Sequence, residues 1–338
     1  MNMVKYVARR IALMAVVLIG ISIITFCISH FVPGDPLAAN LGQSAMSDPE
    51  IVEAYQKKWG LDQPLPIQYL SYMKNLLHGD MGTSIRTQQP VISDLGRYIP
   101  ATFEMATMAT IISIVFGLLF GVISAARHNK AADHIFRFIS LVGISIPAFW
   151  LSILCLYFFY LKLGIAPGSG RVGTEWAGAK FPTGFLLFDA IMYGEPTLFW
   201  DALRHLIMPS IVLAAGTMGI LTRTVRSSML EVMQQDYLRT ARAKGLSSGR
   251  VMRHHVIKNG LIPSVTMFGL CYGSLLGGTV LVETIFSYPG VGLYAYKAAT
   301  TLDFPAIMGT TMFIAAVNVV MNFIVDIIYA AIDPRIRY

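Results

Sequence analysis

The chain has 338 residues, of which 55% are hydrophobic and only 13% are charged. An ordinary soluble domain has roughly 25% charged residues, and a soluble fold of this length cannot cover its surface with so few charges. The composition therefore excludes a soluble globular protein and predicts an all-α polytopic membrane protein. We attribute the net charge of +7 to membrane topology, so it implies no nucleic-acid partner.

Six apolar runs are each about as long as the roughly 17–25 residues that a helix needs to cross a bilayer. We predict a transmembrane helix within residues 1–30, an external loop with amphipathic helices at 31–97, and a transmembrane core at 98–331. The five spans of that core lie at about 105–126, 138–161, 206–225, 260–282 and 304–327. A cytoplasmic loop at 227–259 lies inside the core, and a cytoplasmic tail follows at 332–338.

The first apolar run resembles a secretory signal, because Lys5, Arg9 and Arg10 precede it. The run is longer than a typical signal core, and no small-x-small cleavage site precedes Pro33. We therefore favour an uncleaved first span, with a signal peptide as the alternative.

A further apolar stretch at 184–200 is a candidate for a seventh span. It contains Asp189, Glu195 and Pro196, and a charge near the middle of a bilayer costs a few kcal/mol. We interpret this stretch as an amphipathic or looped segment outside the membrane.

Lysine and arginine are distributed unevenly between the two sides of a six-span topology. One side receives most of the 26 basic residues. They lie in the N-terminus, the second-to-third link (Arg127, Lys130, Arg137), the fourth-to-fifth link (Arg223, Arg226, Arg239, Arg242, Lys244, Arg250, Arg253, Lys258) and the C-terminus (Arg335, Arg337). Short basic links face the cytoplasm, so both termini are predicted to be cytoplasmic.

Two external segments are long. In the first, Asp48-Pro49-Glu50 predicts a helix start, with the helix ending at Gly60, and residues 67–77 repeat the amphipathic pattern. This segment is either a compact cap on the membrane surface or a platform for an external partner. The second, at about 162–205, is rich in glycine, proline and aromatic residues and either lines a cavity or is a variable elaboration.

Glycines recur every four residues in two of the predicted spans. Gly269, Gly273 and Gly277 share one helix face, as do Gly117 and Gly121. This spacing favours close helix packing, with a subunit contact or a pore wall as the alternative. Pro147 predicts a kink in the third span.

Ionisable residues are scarce inside the predicted spans. Glu104, Glu283 and Asp326 lie at span ends, which argues against a stand-alone ion-coupled carrier. An intramembrane hydrolase is disfavoured too, since the pairs His128/His134 and His254-His255 lie in charged links without His-Glu-x-x-His spacing. Three isolated cysteines (Cys27, Cys155 and Cys271) predict no disulfide or metal site, so we expect no catalytic, cofactor or metal residues on this chain.

The segment at 223–259 changes from apolar to amphipathic. A short helix is predicted to end at Gly245, with Lys244 in its last turn, and a second helix starts near Ser248 and runs to Gly260. The first helix either lies in a groove of another protein or rests on anionic lipid through Arg239, Arg242 and Lys244.

The sequence Tyr-Leu-Arg-Thr-Ala-Arg-Ala-Lys-Gly-Leu at 237–246 resembles the coupling loop of binding-protein-dependent ABC importer permeases. The general pattern of that loop is Glu-Ala-Ala, three residues, then Gly. Aligned on Gly245, this chain has Arg239, Thr240 and Ala241 at the first three positions, so two of the three depart from that pattern. The segment instead resembles the dipeptide, oligopeptide and nickel subgroup, with the dipeptide B-type subunits the most similar. Further matching blocks are Pro33-Gly-Asp-Pro36, His78-Gly-Asp-Met-Gly82, Arg226-Ser-Ser-Met-Leu230, Glu283-Thr-Ile-Phe-Ser-Tyr-Pro-Gly290 and Asp333-Pro-Arg-Ile-Arg337.

The resemblance implies a type I ABC importer permease fold with six transmembrane helices, in a bacterial cytoplasmic membrane. The implied partners are a second homologous permease, two ATP-binding subunits, an external solute-binding protein, the lipid bilayer and a di- or oligopeptide cargo, with nickel or another small solute as the alternative. ATP and Mg²⁺ would be bound by the ATPase subunits, because this chain has no Gly-x-x-x-x-Gly-Lys-Ser/Thr loop. The implied coupling residues are Tyr237, Arg239, Thr240, Ala241, Arg242, Ala243, Lys244 and Gly245.

Overall fold

The computed structural model describes residues 3–31, 48–50, 52–53, 63–176, 179, 181–277 and 279–332. The chain forms two compact units. The first contains the described residues of Met1–Pro100 and Pro289–Val320, and the second contains those of Ala101–Tyr288 and Met321–Pro334. Within the described ranges the regular elements are helical, apart from an isolated bridge between Thr83 and Pro90.

The α-helices of the described ranges are numbered here in chain order. They are α1 (Met3–Phe31), α2 (Leu65–Leu77), α3 (Val91–Ala126), α4 (Ala131–Ser145), α5 (Ala148–Cys155), α6 (Leu186–Tyr193), α7 (Pro196–Met233), α8 (Asp236–Ala243), α9 (Ser248–Val251), α10 (Ile257–Gly260), α11 (Ile262–Gly277), α12 (Val280–Ile285), α13 (Val291–Thr300) and α14 (Phe304–Ile332). Two π-helical segments, Leu156–Lys162 and Met252–Val256, continue α5 and α9.

Four of the described helices are long and apolar enough to cross a membrane. They contain the windows Val7–His30, Val91–Ala126, Pro196–Met233 and Phe304–Ile327. These windows include the predicted first, second, fourth and sixth spans. The helices α3 and α7 extend well beyond the apolar runs: α3 begins at Val91 and contains Pro100 in its interior, and α7 runs from Pro196 to Met233.

The third predicted span is not a single helix, which corrects the prediction for 138–161. The helices α4 and α5 meet at an angle of 107° across Ile146 and Pro147. Proline lacks an N–H group and its ring clashes with the preceding turn, so the chain becomes extended at Ile146 and starts a new helix. The kink expected at Pro147 is thus a complete break.

The fifth predicted span, 260–282, is also divided. Helix α11 has 16 residues and is followed by the separate helix α12. The additional stretch at 184–200 contains the short helix α6, which ends at Gly194 in the left-handed region, and then the start of α7. With eight residues, α6 is too short to span a bilayer.

Part of the segment predicted to be external lies in the described residues, and helices are present there where the sequence predicts them. The predicted helix at 67–77 is α2. Residues 49, 50, 52 and 53 are helical, and the Asp48 carboxylate accepts a hydrogen bond from the backbone N–H of Glu50 at 3.0 Å. The predicted continuation to Gly60, the Pro33–Pro36 turn and the motif at 333–337 lie outside the described residues.

In the first unit, the side chain of Asp303, just before α14, connects several segments through hydrogen bonds. Its carboxylate accepts hydrogen bonds from the Ser84 hydroxyl at 2.6 Å and from the backbone N–H groups of Arg86 and Ala306. The residues around this cap form an apolar cluster of Val91, Leu95, Val291, Tyr294, Ala298 and Ala306. The cap therefore fixes the loop that precedes α3 against α13 and α14.

Candidate functional site

The predicted coupling segment contains the short helix α8, which follows the long helix α7. Gln234 and Gln235 form the turn between α7 and α8. Gly245 follows α8 with φ +80° and donates its N–H to the Arg242 carbonyl at 2.9 Å. A left-handed glycine just past the last turn is a common way for a helix to end, and the predicted stop at Gly245 is confirmed.

One face of α8 is buried against the chain itself. Leu238 and Ala241 pack in a cluster with Ala125 of α3, Val225 and Met229 of α7, and Val251 and Val256 of the following helical segment. Leu238 is fully buried and Ala241 is 9% exposed. Ala241 is therefore the one member of the predicted coupling set whose methyl group faces the chain's own interior.

The opposite face of α8 is open and carries a positive charge. The exposed members of the predicted coupling set are Tyr237, Arg239, Thr240, Arg242, Ala243, Lys244 and Gly245. Asp236 offsets part of the charge through a pair with Arg239 at 3.6 Å, and both side chains are highly exposed. Such pairs contribute little, so the three cations remain available to an anionic surface.

Tyr237 joins α8 to the second helical segment. Its hydroxyl accepts a hydrogen bond from the Asn259 side-chain amide at 2.9 Å, and its ring lies edge-on to His255. The predicted second helix from Ser248 to Gly260 is confirmed, with the π-helical segment in its middle. The two helical pieces of the loop are thus connected by a side-chain contact as well as by the apolar cluster.

Close backbone approaches fix α7 in the second unit. A Cβ atom added to Gly117 would lie 2.7 Å from the Leu221 side chain, and one added to Gly121 would lie 2.6 Å from that of Val225. The predicted close packing through Gly117 and Gly121 is confirmed. Similar approaches join α7 to Gly143 of α4 and Gly260 of α10.

A buried ion pair also holds α7 to α4. The Asp133 carboxylate accepts hydrogen bonds from Arg226 Nε at 2.7 Å and Arg226 Nη2 at 2.9 Å. The Ser124 hydroxyl and the Asn129 backbone N–H complete its set of donors. This pair was not predicted from the sequence, although the single acid among Arg127, Lys130 and Arg137 was a usable signal.

A second buried polar cluster ties the loop between α5 and α6 to α3. Arg171 Nη2 donates to Glu104 Oε2 at 2.6 Å and to the Gly184 carbonyl at 2.7 Å, while the Leu187 backbone N–H donates to the other oxygen of Glu104. Nearby, the N–H of Gly170 donates to the Phe286 carbonyl. Glu104 was predicted to lie at a span end, but its partner in a loop 67 residues away was not predictable from local sequence.

One further carboxyl group, that of Glu283, and one phenol, that of Tyr288, lie near the Glu104–Arg171 pair. Glu283 is fully buried and accepts a hydrogen bond from the Thr102 hydroxyl at 2.7 Å. Burial raises the pKa of the Tyr288 phenol well above its usual value, because the phenolate would lose its hydration. Tyr288 therefore stays neutral.

An open groove of about 380 Å³ lies beside the π-helical segment that follows α5. Its walls are apolar and aromatic, formed by Ile153, Leu156, Tyr157, Tyr160, Leu161, Gly168 and Ser169. In the part of the chain that the structure describes, no three His, Cys, Asp or Glu side chains come together as metal ligands.

The glycines of α11 remain a prediction. Gly273 is buried and Gly277 is exposed, so these two glycines are not packed alike within this chain.

Both halves of the sequence match known families. Residues 117–338 match the family described as "Binding-protein-dependent transport system inner membrane component". Residues 3–106 match the N-terminal family of the same transport-system membrane components.

Curated relatives are similar over nearly the full length. The probable D,D-dipeptide transport system permease protein DdpB of Escherichia coli K12 is 43% identical over 323 residues, covering 96% of this chain and 94% of the relative. The dipeptide transport system permease protein DppB of Alkalihalophilus pseudofirmus is 41% identical and covers 99% and 100%. The oligopeptide transport system permease protein AppB of Bacillus subtilis is 39% identical, with the same coverage.

A solved structure has the same fold. The inward-facing MetNI methionine ABC transporter contains a chain with a TM-score of 0.50 and 18% identity, covering 71% of this chain and 96% of that one. Together with the long apolar helices, these matches identify a multi-pass membrane protein with an ABC importer permease fold. The chain belongs to the family of inner membrane permease components of binding-protein-dependent transport systems.

Proposed function

We propose that this chain moves short peptides inward across the bacterial cytoplasmic membrane, as one permease subunit of a heteromeric ATP-driven importer. The observation that carries the proposal is identity of 37–43% over nearly the full length to permeases named for dipeptide transport. Relatives named for oligopeptides are similar too, so the cargo class is di- and oligopeptides.

The partners follow from the transport system to which the family belongs. They are a second related permease, two ATP-binding subunits and an external solute-binding protein, with the bilayer around the permease pair. ATP and Mg²⁺ are bound by the ATPase subunits, and this chain carries no catalytic site of its own. The lack of a phosphate-binding Gly-Lys loop in the sequence supports this division of labour.

The topology has six spans with both termini in the cytoplasm. The basic residues of the α3–α4 turn and of the segment after α7 support this orientation. The broken helix pair α4 and α5 supplies one of the spans, and α11 with α12 supplies another.

The helix α8 is the docking element for one ATPase subunit. Its open face presents Arg239, Arg242 and Lys244, while Leu238 anchors the helix to α7 and α3. A force on α8 therefore acts on a closely packed group of helices. ATP-driven closure of the ATPases moves this group, and the spans rock between inward-open and outward-open states.

Uptake in cells tests the cargo. A deletion strain is complemented with this gene or with an empty vector, and uptake of a labelled dipeptide and of nickel-63 is measured in parallel. We expect loss of dipeptide uptake alone in the deletion strain. Loss of nickel uptake instead would be consistent with the permease role but would show that the cargo is nickel. No change in either uptake would overturn the peptide assignment.

A further inference from the structure

The helix α2 has three distinct sides. Successive residues of an α-helix are rotated by about 100°, at 3.6 residues per turn, which divides α2 and its C-cap His78 into contiguous sectors. Gln68, Tyr69, Tyr72, Met73 and Leu76 form the half-buried side, and Ser71, Asn75 and His78 form an exposed polar side. Between them lies an exposed sector, called here the α2 stripe, which consists of Ile67, Leu70, Lys74 and Leu77.

The half-buried side of α2 packs on the outer part of α1. Tyr69 lies edge-on to Phe26 at a ring distance of 5.4 Å, and its hydroxyl contacts the Ser22 hydroxyl at 2.8 Å. Gln68 contacts His30 at 3.0 Å. Contacts to Ser22 on one side and to His30 on the other place the crossing point of the two helices at the level of Phe26.

This level lies inside the membrane span of α1. The apolar window of α1 ends at His30, four residues beyond Phe26. At 1.5 Å per residue, α2 therefore crosses α1 roughly 6 Å inside the end of the span. Amphipathic helices that lie in a membrane interface bury their apolar face by about 5–10 Å, so the depth of α2 matches such a helix.

The α2 stripe is open in this chain. Leu70 is 65% exposed and Leu77 is 80% exposed. The neighbouring surface of α1 is similarly apolar and open at Ile19 and Ile23. The stripe thus continues a surface that already faces lipid.

The position of Lys74 distinguishes a lipid partner from a protein partner. A lysine in the middle of an apolar stripe is unfavourable in the core of a protein interface, where lysine is depleted. At a membrane surface the same side chain extends its ammonium to the phosphate groups while its methylenes remain in the apolar layer.

We propose that α2 is embedded in the outer leaflet, with Leu70 and Leu77 in contact with phospholipid acyl chains, Lys74 at the headgroup phosphates, and Ser71 and Asn75 facing water. The external segment is then anchored to the bilayer beside α1. This placement fixes the height at which the external face of the permease stands above the membrane.

Spin-label accessibility tests the proposal in the assembled transporter. In a background with Cys27, Cys155 and Cys271 replaced by serine, single cysteines are introduced as Leu70→Cys and Leu77→Cys, with Ser71→Cys and Asn75→Cys as matched controls. The labelled complexes are reconstituted in liposomes of phosphatidylethanolamine and phosphatidylglycerol. Collision with oxygen, which partitions into the bilayer, is compared with collision with a water-soluble nickel chelate.

We expect the ratio of oxygen to nickel accessibility to be several-fold higher at positions 70 and 77 than at 71 and 75. Equal ratios at the four positions would overturn the proposal, because the stripe would then face water. Exclusion of both reagents from positions 70 and 77 would also overturn it, since a protein would then cover the stripe. The side chains at positions 70, 71, 75 and 77 are all exposed, so the substitutions remove no buried contact. If the Leu70→Cys or Leu77→Cys variant does not assemble, Ile67→Cys takes its place.

Discussion

Asp133 of α4 and Arg226 of α7, which are 93 residues apart in the chain, form an ion pair with two hydrogen bonds. Asp133 is fully buried, and its other hydrogen-bond donors are the Ser124 hydroxyl and the Asn129 backbone N–H. The pair joins the first turn of α4 to α7, the helix that leads into the proposed coupling segment. It therefore acts as a clamp on the cytoplasmic side of the proposed topology.

Replacing one member of this pair is expected to destabilise the protein strongly. Arg226→Gln leaves the Asp133 carboxylate buried without its cation, and removal of one partner from a buried pair costs about 3–5 kcal/mol. We expect a clear fall in the thermal unfolding midpoint of the purified transporter, with a parallel loss of uptake. Thermal unfolding monitored by size-exclusion chromatography measures the effect.

Arg223→Gln is the matched control for the clamp. Arg223 lies one turn earlier on the same helix and is exposed, so its loss is expected to change stability by less than about 0.5 kcal/mol. Equal destabilisation by the two variants would show that positive charge on α7, rather than the contact with Asp133, is what matters.

The contact of Gly121 with α7 makes a second prediction. Gly121→Ala places a methyl group 2.6 Å from the Val225 side chain and 3.0 Å from the Thr222 carbonyl, so the helices must separate. Overpacking of this kind costs typically about 1–3 kcal/mol, which is roughly 5- to 150-fold in the folding equilibrium. We expect a lower unfolding midpoint for this variant than for the parent transporter.

Gly96→Ala on the same helix is the comparison for Gly121→Ala. A Cβ atom at Gly96 meets nothing within 4 Å. Alanine is about 0.8–1.0 kcal/mol better than glycine inside a helix, so this variant is expected to be neutral or stabilising. A decrease at both positions would contradict an explanation based on the Val225 contact.

Local sequence patterns predicted the elements that depend on local physics. Apolar runs located α1, α3, α7 and α14, and the Gly245 stop located the end of α8, because hydrophobic length and a left-handed glycine act over one element. The partners of Glu104 and Asp133 were missed, since those contacts form between distant segments. The break at Pro147 was underestimated, because a proline can either bend a helix or end it, depending on what packs around it.

The paired Glu104 and Arg171 side chains test how the α5–α6 loop is held. Arg171→Met leaves the buried Glu104 carboxylate without its cation, and we expect a loss of about 3–5 kcal/mol in stability. Glu104→Gln combined with Arg171→Met removes both charges and is expected to be more stable than the single Arg171→Met variant. A double-mutant cycle on the unfolding midpoints measures the coupling.

Glu175→Gln is the control in the same loop, because Glu175 is exposed. We expect it to behave as the parent. If the effects of Glu104→Gln and Arg171→Met simply add, the two side chains are not coupled and the loop is held by other contacts, such as that between Gly170 and Phe286.

The left-handed conformation of Gly245 separates backbone strain from partner contact in the proposed coupling segment. With φ at +80°, alanine is disfavoured by roughly 1–2 kcal/mol, whereas asparagine tolerates this region. A Cβ atom at Gly245 meets nothing within 4 Å in this chain, so beyond the backbone strain a larger side chain is resisted only by a docked partner. We therefore expect the loss of uptake to be smallest in Gly245→Asn, larger in Gly245→Ala and largest in Gly245→Glu. ATP hydrolysis and membrane insertion are expected to be retained in Gly245→Glu.

The ratio of peptide transported to ATP hydrolysed in reconstituted liposomes measures this loss of coupling, with the exposed Gly249→Ala as a control that should match the parent. Unchanged uptake in Gly245→Glu would remove α8 from the proposed ATPase contact, because a docked helix end has no room for that side chain.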